Sequence, residues 1–477
     1  MTEINVLRPD ICIIGAGAGG LTVAAGATQL GASVVLIDAS EMDGNGLNQG
    51  SIPSNALLAA ASYANVGKRS ETFGITYLTP SIDRSHAVKH VASAVVSIAP
   101  QDSIKRLEAM GVKVIRASAS FDTPDCVTVG ECQIKAKRFV IASGSQTAVP
   151  PIAGLDNVSS FTNETIFAET GVIEHLLVIG GGSTGVELAQ VQRRLGAKVT
   201  LVEMVRLLPK EDDELVSFVR EVLIAEGIDL RERTHIIRLE KTATRISVYL
   251  ANNEGTISKI TVSHILVAAG RKPTIDGLGL DKANVVLNGD AIRVDQNLRT
   301  SNSRIYAIGD CVGEPALAHV ARYQGGIVLR NILFRLRTKT NPDIIPWVTF
   351  TDPELAYVGM LESSARARFK DVRVEALDFG TNDRARAQKS DAGRIKIVLR
   401  ASGQILGVGI VGQQAGELLA PWCLAMGRGL KLSAMAGLLL PYPTLSEISK
   451  RVAGNYYAPR LFSTGVRALV RGLLKLP

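Results

Sequence analysis

The chain has 477 residues, 46% of them hydrophobic and 21% charged, with a formal net charge of +8. The length exceeds what one core can organise and predicts about three domains. The balance is that of a globular protein rather than a disordered one. The positive charge is spread along the chain, which argues against the clustered footprint of a nucleic-acid-binding protein and is compatible with binding anionic cofactors.

The N-terminal stretch carries Glu3 and Asp10 and runs straight into a glycine turn, so it does not read as a signal peptide. No run of about 18 apolar residues offers a membrane span. The five cysteines, Cys12, Cys126, Cys132, Cys311 and Cys423, form no C-x-x-C and no zinc-type set, so no metal site is expected. Sparse thiols suit a reducing compartment, and a cytoplasmic protein is expected. Cys12 sits in an apolar strand pattern and reads as core. Cys126 and Cys132 read either as ordinary thiols or as a redox pair.

Taken in chain order, the first element is an apolar strand at Ile11, followed by Gly15-x-Gly17-x-x-Gly20, a helical pattern, Leu30-Gly-Ala, a second apolar strand and Asp38. The design recurs 165 residues later: a strand from Leu176, Gly180-x-Gly182-x-x-Gly185, a helix, Leu195-Gly-Ala, a strand and Glu203. In both copies the acid falls 23 residues after the first glycine. A lone G-x-G-x-x-G says little. Here each copy follows a buried strand, opens a helix and ends on an acid, which is the context of dinucleotide binding. The glycines allow close approach of a pyrophosphate to a helix N-terminus, and the acid accepts ribose hydroxyls.

Between the copies lies Asp43-Gly-Asn-Gly46-Leu-Asn-Gln-Gly-Ser51-Ile-Pro-Ser-Asn55. Two further strands end in glycine, at Ser143-Gly144 and at Ala269-Gly270. They are expected to mark the crossings into and out of the second nucleotide domain. The strand of Arg304-Ile-Tyr-Ala-Ile-Gly309-Asp310 places a carboxylate at its end, suited to a polyol chain, and a long helical pattern follows Ala318. From about residue 345 alternating strands precede helices, an α+β pattern. The tail, 459–477, mixes Arg460, Arg467, Arg471 and Lys475 with apolar residues at helical spacing. It is expected to pack on its own domain, with peripheral contact to anionic lipid as the alternative.

These motifs, in this order, resemble the class I flavoprotein disulfide reductases, the family of dihydrolipoamide dehydrogenase and mercuric reductase. The likeness covers about residues 10–455 and includes Phe350-Thr-Asp-Pro-Glu354 and Pro443-Thr-x-x-Glu447. The resemblance implies an α/β fold with two Rossmann-like domains and an α+β dimerisation domain. It divides the chain into an FAD-binding domain (1–150 and 271–344), an NAD(P)-binding domain (151–270) and an interface domain (345–477). It implies FAD on Gly15, Gly17, Gly20, Asp38, Ser143, Gly144, Gly309, Asp310 and the backbone near Ala318. It implies NAD(P)H on Gly180, Gly182, Gly185, Glu187, Glu203 and Gly270. Glu203 favours NADH by repelling a 2′-phosphate, whereas Arg206 keeps NADPH open. A homodimer is implied, each site completed by its partner.

The departures carry the functional reading. The stretch 43–55 resembles the family's disulfide motif with its chemistry removed: Gly46 and Ser51 stand at the two cysteine positions, and Asn55 at the lysine position. Its glutamate partner, Glu187, remains. Tyr442 stands where most members have an acid–base histidine, with Glu447 behind it, and Ser183 where a tyrosine often covers the nicotinamide pocket. All the thiol machinery is replaced while both nucleotide fingerprints are kept. The expected activity is therefore NAD(P)H oxidation through FAD, with electrons passed directly to a small acceptor such as a quinone. Two other readings are a catalytically silent flavin-binding structural or regulatory protein and a soluble pyridine nucleotide transhydrogenase.

Overall fold

The computed structural model describes residues 5–39, 50–99 and 104–476. The chain divides into two compact units, one formed by residues 1–66, 79–204 and 233–340, the other by 67–78, 205–232 and 341–477.

The first unit holds two parallel sheets. In one, the strands run Ile305–Ala307, Arg138–Ile141, Ile11–Ile14, Val34–Asp38 and Lys113–Arg116. Ile11 is in register with Val34 on one side and Arg138 on the other. The two-residue period of a strand splits its side chains between two cores. Ile11 and Ile13 pack in the cluster holding Leu21 and Ala24 of the helix Ala18–Gln29. Cys12 and Ile14 pack with Phe121 and Phe139. The second sheet repeats the plan with Phe161–Thr162, His264–Val267, His175–Ile179 and Lys198–Val202. An antiparallel ribbon of Thr234–Lys241, Ile246–Asn252 and Ile257–Val262 follows. The two glycine-ended crossings lie side by side, with Ser145–Thr147 antiparallel to Arg271–Pro273.

The second unit is built on an antiparallel sheet ordered Pro346–Thr349, Glu354–Gly359, Ile405–Gly412, Arg394–Arg400 and Val372–Asp378. Segment 205–232 falls within this unit. Its helix Asp213–Ala225 is tied there by Lys396, whose buried ammonium lies 2.8 Å from each of Asp212, Glu214 and Glu362.

The tail corrects an expectation. The helix Thr464–Leu473, capped by the Ser463 hydroxyl, buries none of its residues fully: Val466 is half-buried and the rest of the apolar stripe is exposed, where its spacing had suggested packing.

Candidate nucleotide and flavin site

The two glycine loops are built alike. Gly15 and Gly180 both have φ of +109°, a conformation that favours glycine. A Cβ on Gly15 would stand 2.2 Å from the Ala142 carbonyl oxygen, and one on Gly180 2.5 Å from that of Ala268. A Cβ on Gly20 would stand 1.9 Å from the Gly15 carbonyl oxygen, and one on Gly185 2.0 Å from that of Gly180. The first and third glycines are thus required by the fold itself. The middle ones are not: around Gly17 and Gly182 a Cβ would meet nothing within 4 Å.

Those middle glycines are the N-caps of the helices Ala18–Gln29 and Ser183–Arg194. Neither helix has a side-chain cap or an acid in its first turn. The helices beginning at Arg84 and Asp213 differ, since Asp83 and Asp212 accept from their first-turn N–H groups. An uncapped helix N-terminus beside open space, where any side chain would intrude, is a cradle that fits a pyrophosphate. Each loop is also braced by its acid. Asp38 accepts from the Ala16 N–H, and Glu203 from the Gly181 N–H at 2.7 Å. Ser183 is exposed at the start of its helix.

Asp310 lies at the end of the strand Ile305–Ala307, where Gly309 donates to the Gln324 side chain at 2.7 Å. The Ser145 hydroxyl donates to Asp310 at 2.5 Å. Arg271 donates through Nε to the Ser145 hydroxyl and through Nη2 to its carbonyl, both at 2.6 Å, and lies 3.7 Å from the Asp310 carboxylate. Sequence reasoning picked out Ser143, Gly144 and Gly270 at these strand ends and missed Ser145 and Arg271. The available signal was their position, each directly after a chosen glycine. Ala318 opens the helix Ala318–Leu333.

Gly46 lies outside the described residues. Ser51 is the first residue of the helix Ser51–Ala64 and is exposed. Asn55 turns its amide back to the Ser51 carbonyl at 2.8 Å. Glu187 is buried on the helix Ser183–Arg194 and accepts from the Ser54 hydroxyl at 3.1 Å. The structure therefore brings together Ser54 and Glu187, while Asn55 bonds within its own helix.

In the second unit Tyr442 is 70% exposed and its hydroxyl donates to Asp383 at 3.1 Å. That hydrogen bond, with the carboxylate's charge, raises the phenol above its ordinary value and keeps it protonated. Glu447 begins the helix Glu447–Leu461. Arg206 donates to the carbonyls of Leu207, Leu208, Pro209 and Glu211 and to the Asp213 carboxylate. The cation that kept NADPH open is thus engaged in holding its own turn.

All five cysteine thiols are free. Burial pushes Cys311 up to about 12 and raises Cys12, Cys126 and Cys423. Cys132 faces Val129 across its hairpin, and Cys126 lies further along the partner strand, in register with Thr123. Among the described residues no cluster of three or more His, Cys, Asp or Glu side chains could hold a metal.

Residues 9–325 match the family described as pyridine nucleotide-disulphide oxidoreductase, and residues 345–453 match its dimerisation domain. The chain belongs to the pyridine nucleotide-disulphide oxidoreductases. Among this family's members, it is 36% identical to a dihydrolipoyl dehydrogenase of Thermus scotoductus, over 92% of this chain and 95% of that protein. It is 32% identical to a mercuric reductase of Lysinibacillus sphaericus, over 94% of this chain and 83% of that protein. The fold resembles that of the HOCl-induced flavoprotein disulfide reductase RclA from Escherichia coli, solved as a Cu(II) complex. The TM-score is 0.83 at 25% identity, covering 94% of this chain and 99% of RclA. Membership makes the chain an FAD-dependent pyridine nucleotide oxidoreductase, and its dimerisation domain supports a homodimer. No helix among the described residues is long and apolar enough to cross a membrane.

Proposed function

We propose that this member of the family works without a redox-active disulfide, passing electrons from reduced flavin directly to a small acceptor such as a quinone, with NADH as donor. The observation that carries the reading is the first turn of the helix Ser51–Ala64. A serine hydroxyl, which cannot form a disulfide, stands at a family cysteine position, and the neutral Asn55 at the lysine position bonds back to Ser51. Gly46, at the other cysteine position, has no thiol either. Glu203 beside the second loop, and an Arg206 engaged by its own turn, support NADH over NADPH.

The chemistry supplied by bound FAD is uptake of two electrons from NADH and their release, singly or in pairs, to the acceptor. The chain's own residues would position the reactants. In this reading residues 1–150 and 271–344 form the FAD domain, 151–270 the NAD(P) domain and 345–477 the interface domain. Gly15, Gly17, Gly20 and Asp38 hold the FAD pyrophosphate and adenosine. Gly144, Gly309, Ala318 and Asp310, the last steadied by Ser145 and Arg271, hold the rest. Gly180, Gly182, Gly185, Glu203 and Gly270 hold the nicotinamide nucleotide, with Glu187 beside it. Tyr442, held protonated, serves as a hydrogen-bond donor rather than a base.

Anaerobic titration of the purified protein with NADH, followed by absorbance, tests the proposal. Bleaching of bound flavin without a long-wavelength thiolate–flavin band, followed by reoxidation on adding a quinone, is the expected result. A flavin that stays oxidised in excess NADH and NADPH would overturn it in favour of a structural or regulatory flavin-binding protein. Turnover of lipoamide or glutathione disulfide would overturn the reading of positions 46 and 51.

A further inference from the structure

We infer that the C-terminal helix Thr464–Leu473 docks the protein on an anionic lipid surface. The helix carries Val466, Leu469, Val470 and Leu473 at the i, i+3, i+4, i+7 spacing of a single face. Arg467, Arg471 and Lys475 follow one another at i, i+4, i+8 beside that face. In the folded unit most of this apolar face is uncovered: Val466 is half-buried, but Leu469 is 62% exposed, Val470 45%, Leu473 55% and the neighbouring Leu474 78%. Exposed leucines of this kind, continuous along a helix, are ordinarily buried against something.

Charge decides what that is. From Ile448 to the last residue the sequence has no Asp or Glu and six cations, Lys450, Arg451, Arg460, Arg467, Arg471 and Lys475. Two such helices facing each other would set like charges together with no carboxylate of their own to compensate. An anionic bilayer answers both features at once, taking the leucines below its headgroups and the cations at their level. A stripe of fewer than three helical turns gives only weak partitioning by apolar area, so anchoring requires both parts. The inference stands apart from the acceptor reading, since binding is measured without turnover.

The test is flotation of the full-length protein with phosphatidylcholine vesicles and with equimolar phosphatidylglycerol–phosphatidylcholine vesicles. The protein is expected to float with the anionic vesicles and not with the neutral ones, and to be released by high salt. Arg467→Gln with Arg471→Gln is expected to weaken partitioning about five-fold per cation. Leu469→Glu with Leu473→Glu is expected to abolish it, with flavin content unchanged. No flotation of the full-length protein overturns the inference, as does flotation that these substitutions leave unaltered. A fall in sedimentation coefficient with either pair also overturns it, assigning the face to a second copy of the chain.

Discussion

Gly17 and Gly20 differ by three positions and by what their missing side chains accomplish. A methyl on Gly20 would collide with the Gly15 carbonyl, whereas one on Gly17 would enter open space at an uncapped helix N-terminus. Gly20→Ala is therefore expected to cost about 3 kcal/mol of stability or more, as backbone clashes do. Gly17→Ala should leave the Tm of the flavin-free protein unchanged and bind flavin at least about ten-fold less tightly, because the methyl occupies the pyrophosphate cradle. Thermal unfolding and the flavin-to-protein absorbance ratio separate the two. Glu203 gives a second residue-scale expectation. Its carboxylate opposes a 2′-phosphate, so Glu203→Ala should shift the NADH-to-NADPH ratio of kcat/KM toward NADPH by about ten-fold, or about 1.4 kcal/mol. An unchanged ratio would remove Glu203 from nucleotide selection.

At the scale of elements, the second unit holds a carboxylate under tension. Glu211 accepts from the Trp347 indole through both oxygens, at 2.9 and 2.8 Å, and Trp347 stacks on Tyr357 with ring centres 5.3 Å apart. Burial pushes Glu211 up to about 7 from an ordinary 4.5, against the lowering effect of that hydrogen bond and of Arg206 and Lys210. The folded state then binds more protons than the unfolded one between those values. Stability from this group is fully present below about 4.5 and is lost as pH rises through about 7. The loss is of order 3 kcal/mol. Glu211→Gln keeps an acceptor for the indole and removes the charge. Its urea midpoint is expected to exceed that of the parent at pH 8 and to match it at about pH 4, below the unfolded value. Equal pH profiles for the two proteins would refute this account. Lys396 acts in the opposite sense on Glu214 and Glu362, lowering both through its hydrogen bonds. Their stabilisation is present at neutral pH and is lost on acidification below the ordinary glutamate range.

At the scale of the whole molecule, the dimerisation domain leaves large apolar side chains uncovered in the single chain. Leu439 is 94% exposed, close in sequence to Tyr442. A homodimer gives such residues a place to be buried. Leu439→Arg is expected to raise the dimer dissociation constant at least about ten-fold by sedimentation equilibrium, with each chain still folded.

Both nucleotide loops were legible in the sequence because their demands are local. A left-handed glycine and a glycine with no room for a Cβ leave fixed spacings, and Gly15, Gly17, Gly20 and their counterparts 165 residues on declare them. The α+β character of the last domain was legible for the same reason, through strand alternation. The Ser145–Arg271–Asp310 cluster was not, since it joins Ser145 to partners more than 100 residues away and only tertiary packing makes them neighbours. Arg206 reads as a free cation near Glu203 until the fold turns five acceptors onto it. The tail shows the limit most directly, because an apolar helical stripe has the same spacing whether it faces a core or water. The sequence alone determined the family, the two dinucleotide loops and the absence of thiols at positions 46 and 51, because backbone geometry and chemical identity are written residue by residue. Only the tertiary structure decided which side chains meet across long separations and which apolar faces remain uncovered, because burial belongs to the packed chain and not to any segment of it.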